Sequence, residues 1–268
     1  MFERSLPKVM GIVNVTPDSF SDGGSFFDHR AALDHAHALI AVGADILDIG
    51  GESTRPGAEP VPALEELRRV VPLIQAIRAT SAIPISIDTT KPEVANAAMA
   101  AGASIWNDVM ALQADGAPEA AAELGCDVVL MHMQGEPRTM QDDPRYDDVV
   151  AEVTAFLAAR AEAAMAAGVA RERITLDPGI GFGKTVAHNL ALIAGLPSLT
   201  ALGFPVLVGA SRKRMIRTLD PTAVEADDRL GGSLALALAA VERGATTLRV
   251  HDVRETVQAL AVWGALPG

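Results

Sequence analysis

The chain has 268 residues, of which 49% are hydrophobic and 21% are charged, and its formal net charge is −12 at pH 7. So acidic a chain argues against nucleic acid and anionic membranes as default partners. No apolar run approaches the roughly 20 residues that span a bilayer, no signal peptide is evident, and the single cysteine fits a reducing compartment, so we expect a cytoplasmic protein.

Eight short apolar segments recur along the chain, and a helical segment follows each of them. The predicted strands cover residues 9–13, 46–49, 84–87, 104–106, 128–131, 174–176, 206–208 and 248–250. The predicted helices cover residues 31–42, 62–80, 92–101, 118–124, 147–167, 188–194, 227–243 and 255–263. Apolar strands that alternate with helices are typical of a parallel sheet buried on both faces. The repeat predicts one α/β domain over residues 1–268, a single (β/α)8 TIM barrel.

Five glycines stand between a predicted helix and the strand that follows it. They are Gly43, Gly102, Gly125, Gly168 and Gly244. Glycine is favoured at this position because it adopts the left-handed backbone conformation that caps the end of a helix. We therefore expect a positive φ at all five.

A polar residue stands at the end of each predicted strand. These residues are Asn14, Asp48, Asp88, Asn107, His132, Asp177, Ser211 and His251. A polar side chain at the end of a buried strand costs free energy unless it is paired or used. The carboxyl ends of the strands of a closed parallel barrel meet at one mouth, where enzymes of this architecture carry out their chemistry. We therefore expect the functional site at this mouth.

The segments after the first and second strands are rich in Gly, Pro, Ser and Thr. Residues 16–24, TPDSFSDGG, place Phe20 between two serines, and residues 50–57, GGESTRPG, contain Arg55. Both compositions are also typical of ordinary turns. A segment with an apolar tip can cover a ligand and exclude water, and the guanidinium of Arg55 is suited to a carboxylate.

The segment DPGIGFGKT, residues 177–185, resembles a phosphate-binding loop only in part. The Gly-Lys-Thr ending is present, but Pro178 stands where the motif requires its first glycine. We therefore reject a nucleotide-binding loop. The same segment does not fit the glycine pattern of a dinucleotide site.

Two further polar groups follow the seventh predicted strand and the last one. Ser211 either caps a helix or marks an anion site, because free backbone N–H groups point outward at a helix start. Arg249 and His251 are two residues apart on one strand and so share a face. A cation beside an imidazole suits a diphosphate, unless Arg249 pairs structurally with Asp252 or Glu255. For His132 we favour a structural role.

Seven motifs fall in the order and spacing of the dihydropteroate synthase family. They are MGIVNVTPDSFSDGG, DIGGESTRPGA, SIDTTKPEVA, LMHMQG, DPGIGFGK, GASRK and RVHDV. The chain resembles this family from about Val9 to Thr256, and the seven motifs together are far more specific than any one. The resemblance implies an enzyme of folate biosynthesis that joins (7,8-dihydropterin-6-yl)methyl diphosphate to 4-aminobenzoate, giving 7,8-dihydropteroate and diphosphate.

The resemblance also implies roles for individual residues. Those implied to bind the pterin are Asp88, Asn107, Met131, Asp177, Phe182, Lys213 and Arg249. Those implied to bind 4-aminobenzoate are Phe20, Thr54, Arg55, Pro56 and Ser211. Those implied to hold the diphosphate are Asn14, Thr54, Arg249 and His251. The implied catalytic set is Asn14, Asp22, Thr54, Arg55, Lys213, Arg249 and His251.

The resemblance further implies a cofactor and an oligomeric state. Mg²⁺ would neutralise the charge that grows on the departing diphosphate, with Asn14 as one oxygen ligand and water molecules as others. An aryl amine is already neutral at pH 7, so no strong base is needed. The implied assembly is a homodimer packed through the late helices.

Three other interpretations remain open. A methyltransferase acting on a methylated folate would share Asp88, Asn107 and Asp177, but it has no need of the SFSDGG, STRPG, SRK and RVH segments. A non-catalytic pterin-binding protein should have lost Asn14, Arg55, Lys213 or His251, and none of these is lost. A barrel aldolase would need a Schiff-base lysine or a metal triad at strand ends, and the sequence gives weak support for either.

Overall fold

The computed structural model describes residues 6–15, 25–53, 58–136 and 138–266, and for residues 25–28 it describes the backbone alone. Within these residues, eight strands form one parallel sheet. They are β1 Lys8–Asn14, β2 Ile46–Gly50, β3 Ile85–Asp88, β4 Ile105–Asp108, β5 Asp127–Met131, β6 Ile174–Asp177, β7 Leu207–Val208 and β8 Thr247–Val250.

The sheet closes on itself into a barrel. Its order is β6-β5-β4-β3-β2-β1-β8-β7. The two outer strands meet through a parallel bridge between Leu176 and Val206, beside which the Leu176 N–H donates to the Pro205 carbonyl at 2.9 Å. The predicted α/β class and TIM barrel are therefore confirmed.

Helices follow the strands and surround the barrel. They are α1 Ser25–Ala41, α2 Ala63–Arg78, α3 Pro92–Ala101, α4 Ala117–Leu124, α5 Val149–Ala166, α6 Val186–Ala194, α7 Leu196–Thr200, α8 Arg214–Leu219, α9 Leu230–Glu242 and α10 Val253–Ala265. Short 3₁₀ helices cover Arg171–Arg173 and Asp227–Arg229. No helix in the described part of the chain is long and apolar enough to cross a membrane.

The observed elements depart from the predicted ones at a few places. The helices α7 and α8 were not predicted, because five and six residues are too few to show a helical period. The predicted helix 227–243 begins with a 3₁₀ turn, which is common at helix ends. The prediction of left-handed caps is confirmed, with φ of 102°, 116°, 57°, 111° and 96° at Gly43, Gly102, Gly125, Gly168 and Gly244.

A layer of apolar side chains fills the interior of the barrel below its mouth. It is a buried cluster of Met10, Ile46, Ile105, Val129 and Leu207. Side chains two residues further along a strand point to the same side of the sheet, so Asp48 follows Ile46 and Asn107 follows Ile105 toward the mouth. The barrel thus changes from apolar to polar within two residues, and the polar layer is placed at the carboxyl ends of the strands.

Candidate active site

The guanidinium of Arg249, on β8, lies between two buried carboxylates. Its Nε donates to Asp48 at 2.6 Å and its Nη2 donates to Asp88 at 2.7 Å. Burial acts to lower the pKa of Arg249, but the charges of Asp48 and Asp88 outweigh it and raise the pKa above its ordinary value. The alternative that Arg249 pairs with Asp252 or Glu255 is wrong, and Asp252 instead accepts from Arg212.

Asp48, on β2, connects Arg249 with a second residue of the mouth. Besides its bond to Arg249, its two carboxylate oxygens lie 3.3 and 3.4 Å from the Asn107 Nδ2. The residue is fully buried. Asp48 ends a predicted strand but is not among the predicted site residues. A charged residue inside the apolar strand ILDIG is a signal that could have identified it. It holds two predicted pterin-binding residues in place.

The carboxyl groups of Asp88 and Asp177 are buried at the mouth and titrate near neutral pH. Burial raises the pKa of Asp88 to about 7, against the opposing charge of Arg249. Burial raises the pKa of Asp177 to about 6, although its carboxylate accepts from the Gly179 N–H at 2.7 Å. Perturbed carboxyl groups of this kind are typical of functional sites. Asp88 does not cap the next helix, because Lys91 occupies the N-cap of α3, without a side-chain bond.

Lys213, Phe182 and Met131 form a wall that combines a cation with apolar groups. The Lys213 Nζ lies 4.1 Å from the centroid of the Phe182 ring. Burial lowers the pKa of Lys213 to about 8, and the charge of Arg249 acts in the same direction. Phe182 packs against a buried cluster of Val109, Met131, Met133 and Met140. Such a wall suits a flat aromatic heterocycle.

Ser211 and His251, which lie just beyond the ends of β7 and β8, are hydrogen-bonded to each other. The Ser211 Oγ lies 3.1 Å from the His251 Nδ1, and the His251 N–H donates to the same oxygen at 3.2 Å. Burial and then the charge of Arg249 lower the pKa of His251 to about 3, so the imidazole is neutral at pH 7. The alternative of Ser211 as a helix cap is wrong, because α8 begins at Arg214 with Lys213 as its N-cap.

Asn14 stands at the end of β1, half-buried, in register with Gly50 of β2. A Cβ added at Gly50 would lie 3.8 Å from Asn14 Oδ1 and 3.8 Å from Asp88 Oδ2. The Asn14 Oδ1 is an oxygen of the kind that Mg²⁺ prefers, whereas the Asp88 Oδ2 already accepts from Arg249. No cluster of three or more His, Cys, Asp or Glu that could hold a metal exists among the residues described. An ion here would be bound by few protein oxygens and by water.

Five predicted site residues lie outside the described residues. They are Phe20, Asp22, Thr54, Arg55 and Pro56. Close to residues 54–57, the Glu52 carboxylate accepts from the Val61 N–H at 3.1 Å and from Lys91. Lys91 also donates to the buried Glu66 at 2.6 Å. The bond between Glu52 and Val61 therefore joins the chain before residues 54–57 to the chain after them.

Comparison with known proteins gives one consistent family. The chain matches the family model described as pterin binding enzyme over residues 10–251. Dihydropteroate synthase of Escherichia coli (strain K12) is 51% identical over 260 residues, which cover 97% of this chain and 92% of the relative.

Solved structures agree over nearly the whole chain. A Xanthomonas albilineans dihydropteroate synthase with 4-aminobenzoic acid is 56% identical with a TM-score of 0.91, and the match covers 98% of this chain and 94% of that chain. The enzyme from the same organism in complex with 7,8-dihydropteroate is 51% identical with a TM-score of 0.88, and here the shares are 99% and 97%.

The burial of Asp177 predicts a pH-dependent stability. Its pKa is raised from 3.8 to about 6 in the folded chain, so the folded chain holds this proton more tightly than the unfolded chain. The resulting stability is fully present below about pH 4 and is lost as the pH rises through about 6. Between pH 4 and 8 we expect the free energy of unfolding of the wild type to fall by about 2–3 kcal/mol more than that of Asp177→Asn.

Urea titrations of the ligand-free proteins check this expectation. The variant Asp115→Asn, at an exposed position, is the control and should follow the wild-type pH dependence. If the free energies of unfolding of the wild type and Asp177→Asn change in parallel with pH, the Asp177 carboxyl group is not the source of the pH dependence.

Proposed function

The chain belongs to the dihydropteroate synthase family of pterin-binding enzymes, and we propose that it forms 7,8-dihydropteroate. The amine nitrogen of 4-aminobenzoate bonds to the exocyclic methylene carbon of (7,8-dihydropterin-6-yl)methyl diphosphate, and the bond from that carbon to the diphosphate breaks. The observation that carries the proposal is the barrel mouth, where the buried carboxylates of Asp88 and Asp177 stand near the cations of Arg249 and Lys213.

The pterin is the substrate to which the described residues are best matched. A carboxylate at Asp177 can accept two parallel hydrogen bonds, from the exocyclic amine and the ring N–H of the aminopyrimidine. Because the Nδ2 of Asn107 donates to Asp48, its amide oxygen would accept from the heterocycle. The rings of the pterin would lie against Met131 and Phe182, with Lys213 nearby.

The diphosphate would be held beside the pterin by groups of β1 and β8. Arg249 supplies a fixed positive charge, and the neutral imidazole of His251 supplies hydrogen bonding rather than charge. Mg²⁺ would be held here with Asn14 as one oxygen ligand and water molecules as others. When bound, the ion would lower the free energy of the charge that develops on the leaving group.

The 4-aminobenzoate site is proposed at the opposite side of the methylene carbon from the diphosphate. The hydroxyl of Ser211 would bind its carboxylate, since the backbone N–H of Arg212 already donates to Ser233 Oγ at 2.9 Å. Phe20, Thr54, Arg55 and Pro56 would wall the site. Since the amine is neutral at pH 7, no general base is required. The protein would therefore act by positioning the amine and by stabilising charge, and Asp22 would help to order the cover.

We also propose a cytoplasmic homodimer packed through the late helices. The buried cysteine, Cys126, is free, which suits a reducing compartment. Among the late helices, Leu219 of α8 and Val262 of α10 are 58% and 62% exposed.

The central test is diphosphate release by the purified protein, measured with Mg²⁺ and the pterin diphosphate. We expect release to depend on 4-aminobenzoate and to match the amount of dihydropteroate formed. Removal of Mg²⁺ with a chelator should slow release by about ten-fold or more, since the charge on the leaving group is then less well stabilised. Pterin binding without any release would instead support a non-catalytic pterin-binding protein or a methyltransferase.

The proposed role of Arg55 predicts a selective loss. In Arg55→Ala the KM for 4-aminobenzoate should rise by about ten-fold or more, because a charge-assisted bond to its carboxylate is lost. The affinity for the pterin diphosphate should stay within about two-fold. Steady-state kinetics and pterin titration measure both, with Arg68→Ala, whose side chain is 71% exposed, as the control. Equal losses for both substrates would refute the assignment.

A further inference from the structure

Lys184 is a buried cation whose hydrogen bonds all go to neutral groups. It is 3% exposed. Its Nζ lies 3.0 Å from the Nδ1 of His132 and donates to the carbonyls of His132 at 3.2 Å and Phe182 at 2.8 Å. An ammonium group has three N–H donors, and here three acceptors surround it. Burial and then Lys184 lower the pKa of His132 to about 3, so its ring is neutral and can accept.

A buried cation of this kind is costly. Burial lowers the pKa of Lys184 to about 7, and the charge of Asp177 only partly opposes this. In the described part of the chain no carboxylate lies within hydrogen-bond distance of it. The three hydrogen bonds of Lys184 offset part of the cost of burying its charge.

The bonds of Lys184 join two adjacent loops at the barrel mouth. His132 directly follows β5, and Phe182 lies in the loop between β6 and α6. The two backbones are in close contact, because a Cβ added at Gly179 would lie 1.9 Å from the His132 carbonyl oxygen. Tyr146 adds a second bond to the loop between β6 and α6, from its hydroxyl to the Gly183 carbonyl at 2.8 Å.

The loop held by Lys184 carries part of the proposed pterin pocket. The ring of Phe182 faces the ammonium of Lys213 and packs on the cluster that includes Met131. A Cβ added at Gly181 would lie 2.9 Å from the Cδ of Lys213. A displacement of this loop would therefore move Phe182 and disturb Lys213.

We propose that Lys184 is a positioning residue of the pterin pocket. Its ammonium fixes the Phe182 carbonyl against the end of β5 and so sets the place of the Phe182 ring beneath Lys213. The lysine of the Gly-Lys-Thr segment thus acts on the pocket wall and not on a nucleotide phosphate. This inference rests on the proposed synthase activity.

The first test is Lys184→Met, which keeps the volume and removes the donors. We expect the KM for the pterin diphosphate, and the Kd from equilibrium pterin titration, to rise by about ten-fold. The kcat and the KM for 4-aminobenzoate should stay within about two-fold, because the change acts on uniform binding of one substrate.

Arg78→Met is the matched control. Arg78 also holds three backbone carbonyls, those of Ser81, Ile83 and Gly102, but at the opposite end of the barrel. It should lower the midpoint of thermal unfolding and leave the pterin KM within about two-fold. If Lys184→Met lowers the midpoint without raising the pterin KM, its role is structural and the proposal is wrong.

A double-mutant cycle with Phe182→Ala tests the route of action. Residues that act through one another give non-additive effects, so Lys184→Met should change pterin binding by less than about two-fold once the Phe182 ring is absent. A further full ten-fold loss in that background would overturn the proposal.

Two arrangements keep the test decisive. If Lys184→Met does not fold, Tyr146→Phe removes the adjacent bond to Gly183, and it should raise the pterin KM by about two- to three-fold; an unchanged KM would contradict the proposal. If the wild type forms no dihydropteroate but binds the pterin, the proposed function fails, and the equilibrium titrations alone then decide the role of Lys184.

Discussion

The mouth of the barrel depends on the buried ion pairs of Arg249. The guanidinium bonds to Asp48 of β2 and Asp88 of β3, and Asp48 in turn holds Asn107 of β4. Four strands are thereby joined through their side chains just above the apolar layer. Burying such a set costs much of what its internal attraction returns, and removing one member leaves an uncompensated charge. The network fixes where the groups of the pocket lie more than it adds stability.

The same burial decides which groups carry charge at pH 7. His251 is neutral, so the positive charge at the mouth comes from Arg249 and Lys213. Asp88 titrates at about 7 because Arg249 only partly offsets its burial. The buried cations of Arg249 and Lys213 lie near Asp48, Asp88 and Asp177, so the charge at the mouth is more balanced than the net charge of −12.

Sequence patterns predicted the barrel well, because each unit is local: an apolar strand, a helix and a capping glycine such as Gly102. Local patterns could not predict the partners of Arg249, because Asp48 and Asp88 lie 201 and 161 residues away in the chain. Spacing along the chain instead favoured Asp252. Lys184 shows the same limit, because its neighbours resemble a phosphate loop only in part and give no sign of its partner His132, which lies 52 residues away. Pairings across strands are set by the closed barrel, which no local pattern contains.

The claim that Arg249 organises the mouth is tested most directly by a double-mutant cycle on the free energy of unfolding, with Arg249→Met and Asp48→Asn. If the two side chains form one buried pair, Asp48→Asn should destabilise the wild type but should stabilise Arg249→Met, in which Asp48 is an uncompensated buried charge. Denaturant titrations should then give a coupling of at least about 1 kcal/mol. Two effects that add to within about 0.5 kcal/mol would show that the pair does not act as a unit.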